Sequence, residues 1–234
     1  MLLYIIRHGD PIYETDTLTP RGREQAEAVG IRMERAGIDR IFTSPMGRAR
    51  ETAAPACRRL GLTATVEEWA HEIGDERLCP FPDGKRRSIT VLPSYAFREN
   101  GNIDLPYEDA FRCTHVSESG MESARDYIEM HGREFLERLG YREENGIYRI
   151  LRPNEEKVAL FCHTAFARAW LSVLLHIPLH IVWSGISITH TGVTVLEFRN
   201  YESGYTSPRC LLLSDTSHLY ADGPDMKYEN RVEL

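Results

Sequence analysis

Three short apolar runs decide what this chain can fold into. Residues 2–6 (LLYII), DRIFTSP at 39–45 and KVALFCH at 157–163 each stop abruptly at polar side chains. Apolar runs of this length bounded by turn signals read as buried strands. Sequences with helical spacing lie between them. Thr19 is placed to cap a helix that opens on Pro20, carries Ala26, Val29 and Met33 on one face, and closes at Gly37. MGRARETAAPACRRLG supplies a second helix ending at Gly61, and SGMESARDYIEMHGREFLERLG a third with Ile128, Phe135 and Leu139 on one side. ARAWLSVLLHI is a fourth helix, while TATVEEW, GVTVLEF and PRCLLLS add strands. This alternation predicts an α/β three-layer sandwich, with a mostly parallel central sheet flanked by helices. Ligands in such sheets sit beyond the carboxyl ends of the strands. The polar turns holding Arg7 and His8, Ser44 with Arg48, and His163 should therefore converge on one crevice.

At 234 residues the chain has the length of one domain, 1–234, and enough apolar sequence (42%) to bury a core without disulfides. Periodicity is lost from about Cys79 to Glu118, a stretch rich in Pro, Gly and charge. A patternless stretch of that length reads as an irregular insertion at about 79–118, a lid over a site. The net charge of −7, with no basic tail, argues against generic nucleic-acid binding. A local arginine cluster can still bind a small anion. Five scattered cysteines without C-x-x-C spacing fit a reducing compartment. The first residues lack a basic leader, and FARAWLSVLLHIPLHIVW is broken by Arg168, two histidines and Pro178. The expectation is a soluble, cytoplasmic protein with neither membrane nor nucleic acid as partner.

Two arginines and two histidines in one crevice point to phosphoryl chemistry. Guanidinium groups pair bidentately with phosphate oxygens, and preorganised cations stabilise a phosphoryl group in transfer. Neutral histidine can attack phosphorus, and flanking arginines lower its pKa and keep it neutral. Gly9 would let backbone approach the ligand where a Cβ would intrude. The sequence holds no Walker loop, dinucleotide fingerprint, H-E-x-x-H or G-x-S-x-G motif.

LLYIIRHGD, LTPRGREQA, FTSPMGRARETA, GMESARD and VALFCHTAFARAWL follow one another in an order that resembles the histidine phosphatase superfamily, also called phosphoglycerate-mutase-like. GVTVLEF and DTSHL resemble its C-terminal strands. The resemblance implies that His8 is the nucleophile that becomes phosphohistidine and that Arg7 clamps the phosphate. It makes Arg48, in the SPxxRA pattern, the second clamp, with Arg50 fitting the spacing less well. His163 would contact phosphoryl oxygens, and the Thr164 amide would lie near the phosphate at a helix start. The proton donor is an acid soon after the third strand, for which Glu72 is the best match and Glu118 and Asp10 are substitutes. The implied activity is metal-free, cofactor-free hydrolysis of a small phosphorylated substrate. A phosphoglycerate-type mutase shares this core and differs in whether the lid keeps water from the intermediate. A non-catalytic phosphate-binding protein is the third reading. One departure stands out: after Arg-His-Gly the family often has Glu or Gln and then an Asn, where this chain has Asp10 and PIYETDT.

Other candidates carry plainer readings. Arg48 shares a charged helix with Arg50, Arg58 and Arg59, so a solvated role competes, and the preceding Ser-Pro turn favours function. His163 could be a core histidine but for its place at a strand's carboxyl end. His71, His115 and His131 read as surface or lid residues. His176 and His180 have metal-like spacing, yet Pro178 between them prevents one helical face. His218 reads as a C-terminal brace. Arg86, Arg87, Arg98 and Arg112 are assigned to solvent, with an acidic substrate as the alternative. Oligomeric state leaves no mark on the sequence.

Overall fold

A computed structural model describes residues 1–224; residues 225–234 of the expected domain lie outside the described residues. The main sheet contains β1 (Leu2–Arg7), β2 (Arg40–Thr43), β3 (Thr65–Val66), β4 (Lys157–Cys162), β5 (Val193–Glu197) and β6 (Arg209–Asp215), in the spatial order β6-β5-β1-β4-β2-β3. β1, β4, β2 and β3 pair in parallel, and β5 alone runs the other way between β1 and β6. The mostly parallel sheet of the sequence expectation is therefore present. TATVEEW forms only the two-residue β3, because the chain turns at Glu67. The carboxylate of Glu67 accepts the Trp69 indole N–H at 2.8 Å and an Arg138 N–H at 2.7 Å.

Strand side chains alternate between faces, which sorts the core into two layers. Leu3, Ile5, Val158, Leu160 and Phe42 join a layer with Trp69, Phe135, Phe166 and Trp170. Ile6, Ala159, Phe161, Ile41 and Val193 join a second layer with Val29, Met33, Ala53 and Ala56. The first layer is covered by α3 (Met121–Arg138) and α4 (Thr164–Leu175), the second by α1 (Pro20–Ala36) and α2 (Gly47–Leu60). Each fully buried large apolar side chain stabilises this arrangement by about 1.5–3 kcal/mol. The helix signals operate as read: the Thr19 hydroxyl accepts the Gly22 N–H, and Gly37 and Gly61 end their helices in the left-handed region.

The aperiodic segment is a chain of short pieces with its own anchors. A hairpin pairs Leu78–Pro80 with Arg86–Ser88, and 3₁₀ turns follow at Ile89–Val91, Ser94–Phe97, Asn102–Asp104 and Tyr107–Arg112. Cys79, Ile89, Phe97, Ala110, Cys113 and Val116 are buried in the first core layer. Elsewhere, Tyr141–Glu144 and Ile147–Ile150 form a hairpin that Tyr205–Thr206 extends. No period announces it, although its turn at Asn145-Gly146 has both residues at positive φ, the geometry that pair favours.

The register places the site. Arg7 is level with Cys162, and Phe161 is level with Thr43. His8 N–H continues the ladder to the Cys162 carbonyl at 2.9 Å, and Ser44 N–H does so to Phe161 at 2.9 Å. His8, Ser44 and His163 therefore leave the sheet side by side. Among the described residues, no helix is long and apolar enough to cross a membrane.

Candidate active site

The side chains of Arg7, His8, Arg48 and His163 are all buried at this carboxyl edge. The His8 and His163 rings lie 5.2 Å apart, centre to centre. His8 Nδ1 is 2.7 Å from the Gly9 carbonyl oxygen. A carbonyl can only accept, so Nδ1 carries the proton and Nε2 keeps its lone pair. Burial, then Arg7 and His163, hold the His8 pKa well below the usual 6.5. The ring is neutral at physiological pH, as a nucleophile must be.

Gly9 has a packing role as well. Its amide donates to Thr52 Oγ1 at 3.0 Å, and a Cβ there would lie 2.7 Å from the carbonyl oxygen of Gly22. Its small size admits α1 to the end of β1. Thr164 opens α4 directly after His163. The His163 Nε2 lies 2.7 Å from Ser44 Oγ, and its buried Nδ1 has no hydrogen-bond partner. Burial first, then Arg48 and Arg7, depress its pKa as well.

Arg7 is held from the far side. One terminal nitrogen donates to the Ile188 carbonyl at 2.6 Å and the other meets His190 Nε2 at 2.9 Å. Guanidinium cannot accept, so His190 Nε2 does, and its protonated Nδ1 faces Asp10 Oδ1 at 3.8 Å. Burial brings the Arg7 pKa down to about 10, opposed in part by Tyr13 and Glu72. His190 lies 5.6 Å from the His8 ring and belongs to the site, although no strand-end signal marks it. It precedes β5, the antiparallel strand, so residues before that strand lie at the edge where the parallel strands end.

Arg48 projects from α2, donates to Asp16, and leaves a buried Nε without a hydrogen-bond partner. Arg50, two residues further along α2 and so on its opposite side, is exposed. The carboxylate of Glu72 accepts the amides of Phe166 at 3.0 Å and Ala165 at 3.3 Å, and so caps the helix that follows His163. Of its substitutes, Asp10 is bonded to the Thr19 hydroxyl at 2.7 Å, while Glu118 faces His115 at 4.0 Å within the aperiodic segment. Three of the segment's arginines pair locally, Arg86 with the Leu78 carbonyl, Arg87 with Asp83 and Arg112 with Asp109, while Arg98 reaches across to Ser184. His176 stacks on Tyr107, and His180 is buried elsewhere. His218 braces the Thr191 hydroxyl at 3.1 Å and accepts from Arg32 at 3.3 Å, as its position implied. Among the described residues no group of three or more histidine, cysteine or carboxylate side chains is arranged to hold a metal ion.

Residues 3–75 and 102–208 match the profile of the histidine phosphatase superfamily, branch 1. The chain belongs to this superfamily. Residues 79–101, the first part of the aperiodic segment, lie outside the match, whereas the residues of the sheet edge from Arg7 to Arg48 and His163 lie within it. A probable phosphoglycerate mutase, GpmB, of Yersinia pestis is 28% identical over 190 residues, covering 76% of each chain. The fold is shared with a phosphoserine phosphatase from Entamoeba histolytica solved with 3-phosphoglyceric acid (TM-score 0.60, 20% identity, 93% of this chain and 98% of the other). It is also shared with a mycobacterial glucosyl-3-phosphoglycerate phosphatase (TM-score 0.60, 19% identity, 91% and 98%).

Proposed function

We propose that this protein is a cytoplasmic, metal-independent phosphatase that hydrolyses a small phosphomonoester through a phosphohistidine on His8. The observation that carries the reading is a neutral His8 with its Nε2 lone pair free, among Arg7, Arg48 and His163. Nε2 attacks phosphorus in line while the bond from phosphorus to the ester oxygen breaks. Arg7, Arg48 and His163 hold the phosphoryl oxygens, with the Thr164 amide at the start of α4 beside them. Glu72, protonated in the enzyme–substrate complex, gives its proton to the departing alkoxide. Water then attacks the phosphohistidine, Glu72 takes the proton from that water, and inorganic phosphate leaves as His8 regains its lone pair. Residues 79–118 act as the lid of this single domain.

The 28% identical relative favours a second reading, a phosphoglycerate-type mutase in which the phosphoryl group returns to the bound product. The experiment is phosphate release from a chromogenic aryl phosphate in the presence of a chelator. Wild type should release phosphate, and His8→Ala should release none; activity retained in that variant would refute the mechanism. Isomerisation of 3-phosphoglycerate without net release would favour the mutase. Phosphate binding with neither activity would leave a non-catalytic binding protein.

A further inference from the structure

The stretch DPIYETDT, directly after Arg-His-Gly, is a tightly held hairpin. Pro11 pairs with Leu18 and Ile12 with Thr17, and the Asp16 N–H closes the turn on the Tyr13 carbonyl at 3.3 Å. Its base rests against α1. A Cβ on Gly22 would lie 2.2 Å from the Asp10 carbonyl oxygen, and the Asp10 carboxylate takes the Thr19 hydroxyl. Its turn rests against α2. Asp16 sits at φ 52°, a left-handed conformation that aspartate tolerates, and its carboxylate takes the Gly47 amide and an Arg48 N–H. A Cβ on Gly47 would lie 2.3 Å from the Asp16 carbonyl oxygen.

A hairpin fixed at both ends presents its corner residue in one place, and that residue is Tyr13. The Arg48 guanidinium carbon lies 5.6 Å from the Tyr13 ring centre, and Tyr13 favours the charged form of Arg7. One residue bears on both arginines, while 65% of it stays open to solvent. A phenol hydroxyl carries a proton it can donate, and the two guanidinium groups would draw an anionic acceptor toward it.

Resting on the phosphatase reading above, we propose that the Tyr13 hydroxyl donates to an oxygen of the bound phosphoryl group. Tyr13 is then a catalytic residue.

Tyr13→Phe tests this, because it keeps the ring over Arg48 and removes only the hydroxyl. Expected is a fall in kcat/KM on an aryl phosphate of about tenfold, the scale of one hydrogen bond to a charged group. Orthovanadate, which imitates five-coordinate phosphorus, should bind about tenfold more weakly, with an unchanged thermal midpoint. A Tyr13→Phe protein matching wild type in kcat/KM and vanadate affinity would overturn the inference and leave the phosphatase reading intact. Loss of activity accompanied by a lowered midpoint, with vanadate affinity preserved, would also overturn it by making Tyr13 merely structural. A wild-type protein that neither releases phosphate nor binds vanadate would overturn both.

Discussion

Two stretches of this chain abandon the α/β pattern beside the same sheet edge, and they are held by opposite means. The hairpin of residues 10–18 has Leu18 as its one fully buried apolar side chain. It is fixed by backbone pressed against Gly22 and Gly47, and by carboxylates that accept from Thr19, Gly47 and Arg48. The segment of residues 79–118 hangs from apolar anchors sunk into the core, with arginines tied to local partners. Contacts of the first kind depend on tenths of an ångström and bear on Arg48. Those of the second kind need volume and apolarity, which many sequences supply. The difference explains why a stretch so close to the chemistry is tightly positioned, while the segment beside it includes the residues the family profile leaves unmatched.

Acid should expose the contrast most strongly. Burial holds His8, His163, His190 and His218 below their ordinary pKa of 6.5, with His218 at about 4. The unfolded chain binds these protons first. The stability they contribute is therefore complete above about pH 6.5 and is lost as pH falls toward the folded values, at about 1.4 kcal/mol per pH unit for each ring. Urea unfolding at pH 8, 6 and 5 should show this steep loss, and a flat profile would contradict the neutral-histidine site. Next in size, Phe97→Ala should cost about 3 kcal/mol of unfolding free energy by opening a cavity under the insertion. Phosphate affinity, measured by calorimetry, should change less than threefold. Stability kept and phosphate binding lost would break the comparison. Smallest in free energy, Gly47→Ala should lower kcat/KM about 100-fold, the scale of an ångström's misplacement of a catalytic group. Its melting temperature should move little; full activity would show that the hairpin is not rigidly positioned.

The sheet, its helices and the strand-end residues were legible because each is a local pattern. LLYII ending at Arg7 and His8, and KVALF leading to His163, carry their own period and their own stop. Thr19, Gly37 and Gly61 mark helix ends through backbone chemistry that acts within a few residues. What escaped was non-local. His190 meets Arg7 across a sequence separation of 183, and only the reversal of β5 brings it to the edge. Asp16 and Tyr13 reach Arg48 because two glycines let backbones touch, a relation no periodicity encodes. Glu72 was legible as a candidate acid, whereas its capping of α4 requires knowing that its loop and His163 are neighbours.

The position of β1 at the centre of the sheet also governs when the site comes into being. Both of its flanking partners, residues 157–162 and 193–197, belong to the last third of the chain. During synthesis His8 is among the first residues made, yet its flanking strands are among the last. Long-range pairing of this kind is slow to form and leaves apolar strand exposed meanwhile. Most of this protein must therefore leave the ribosome before the sheet edge around His8 is complete, and a chain truncated before residue 193 would carry His8 without one of the strands that flank it.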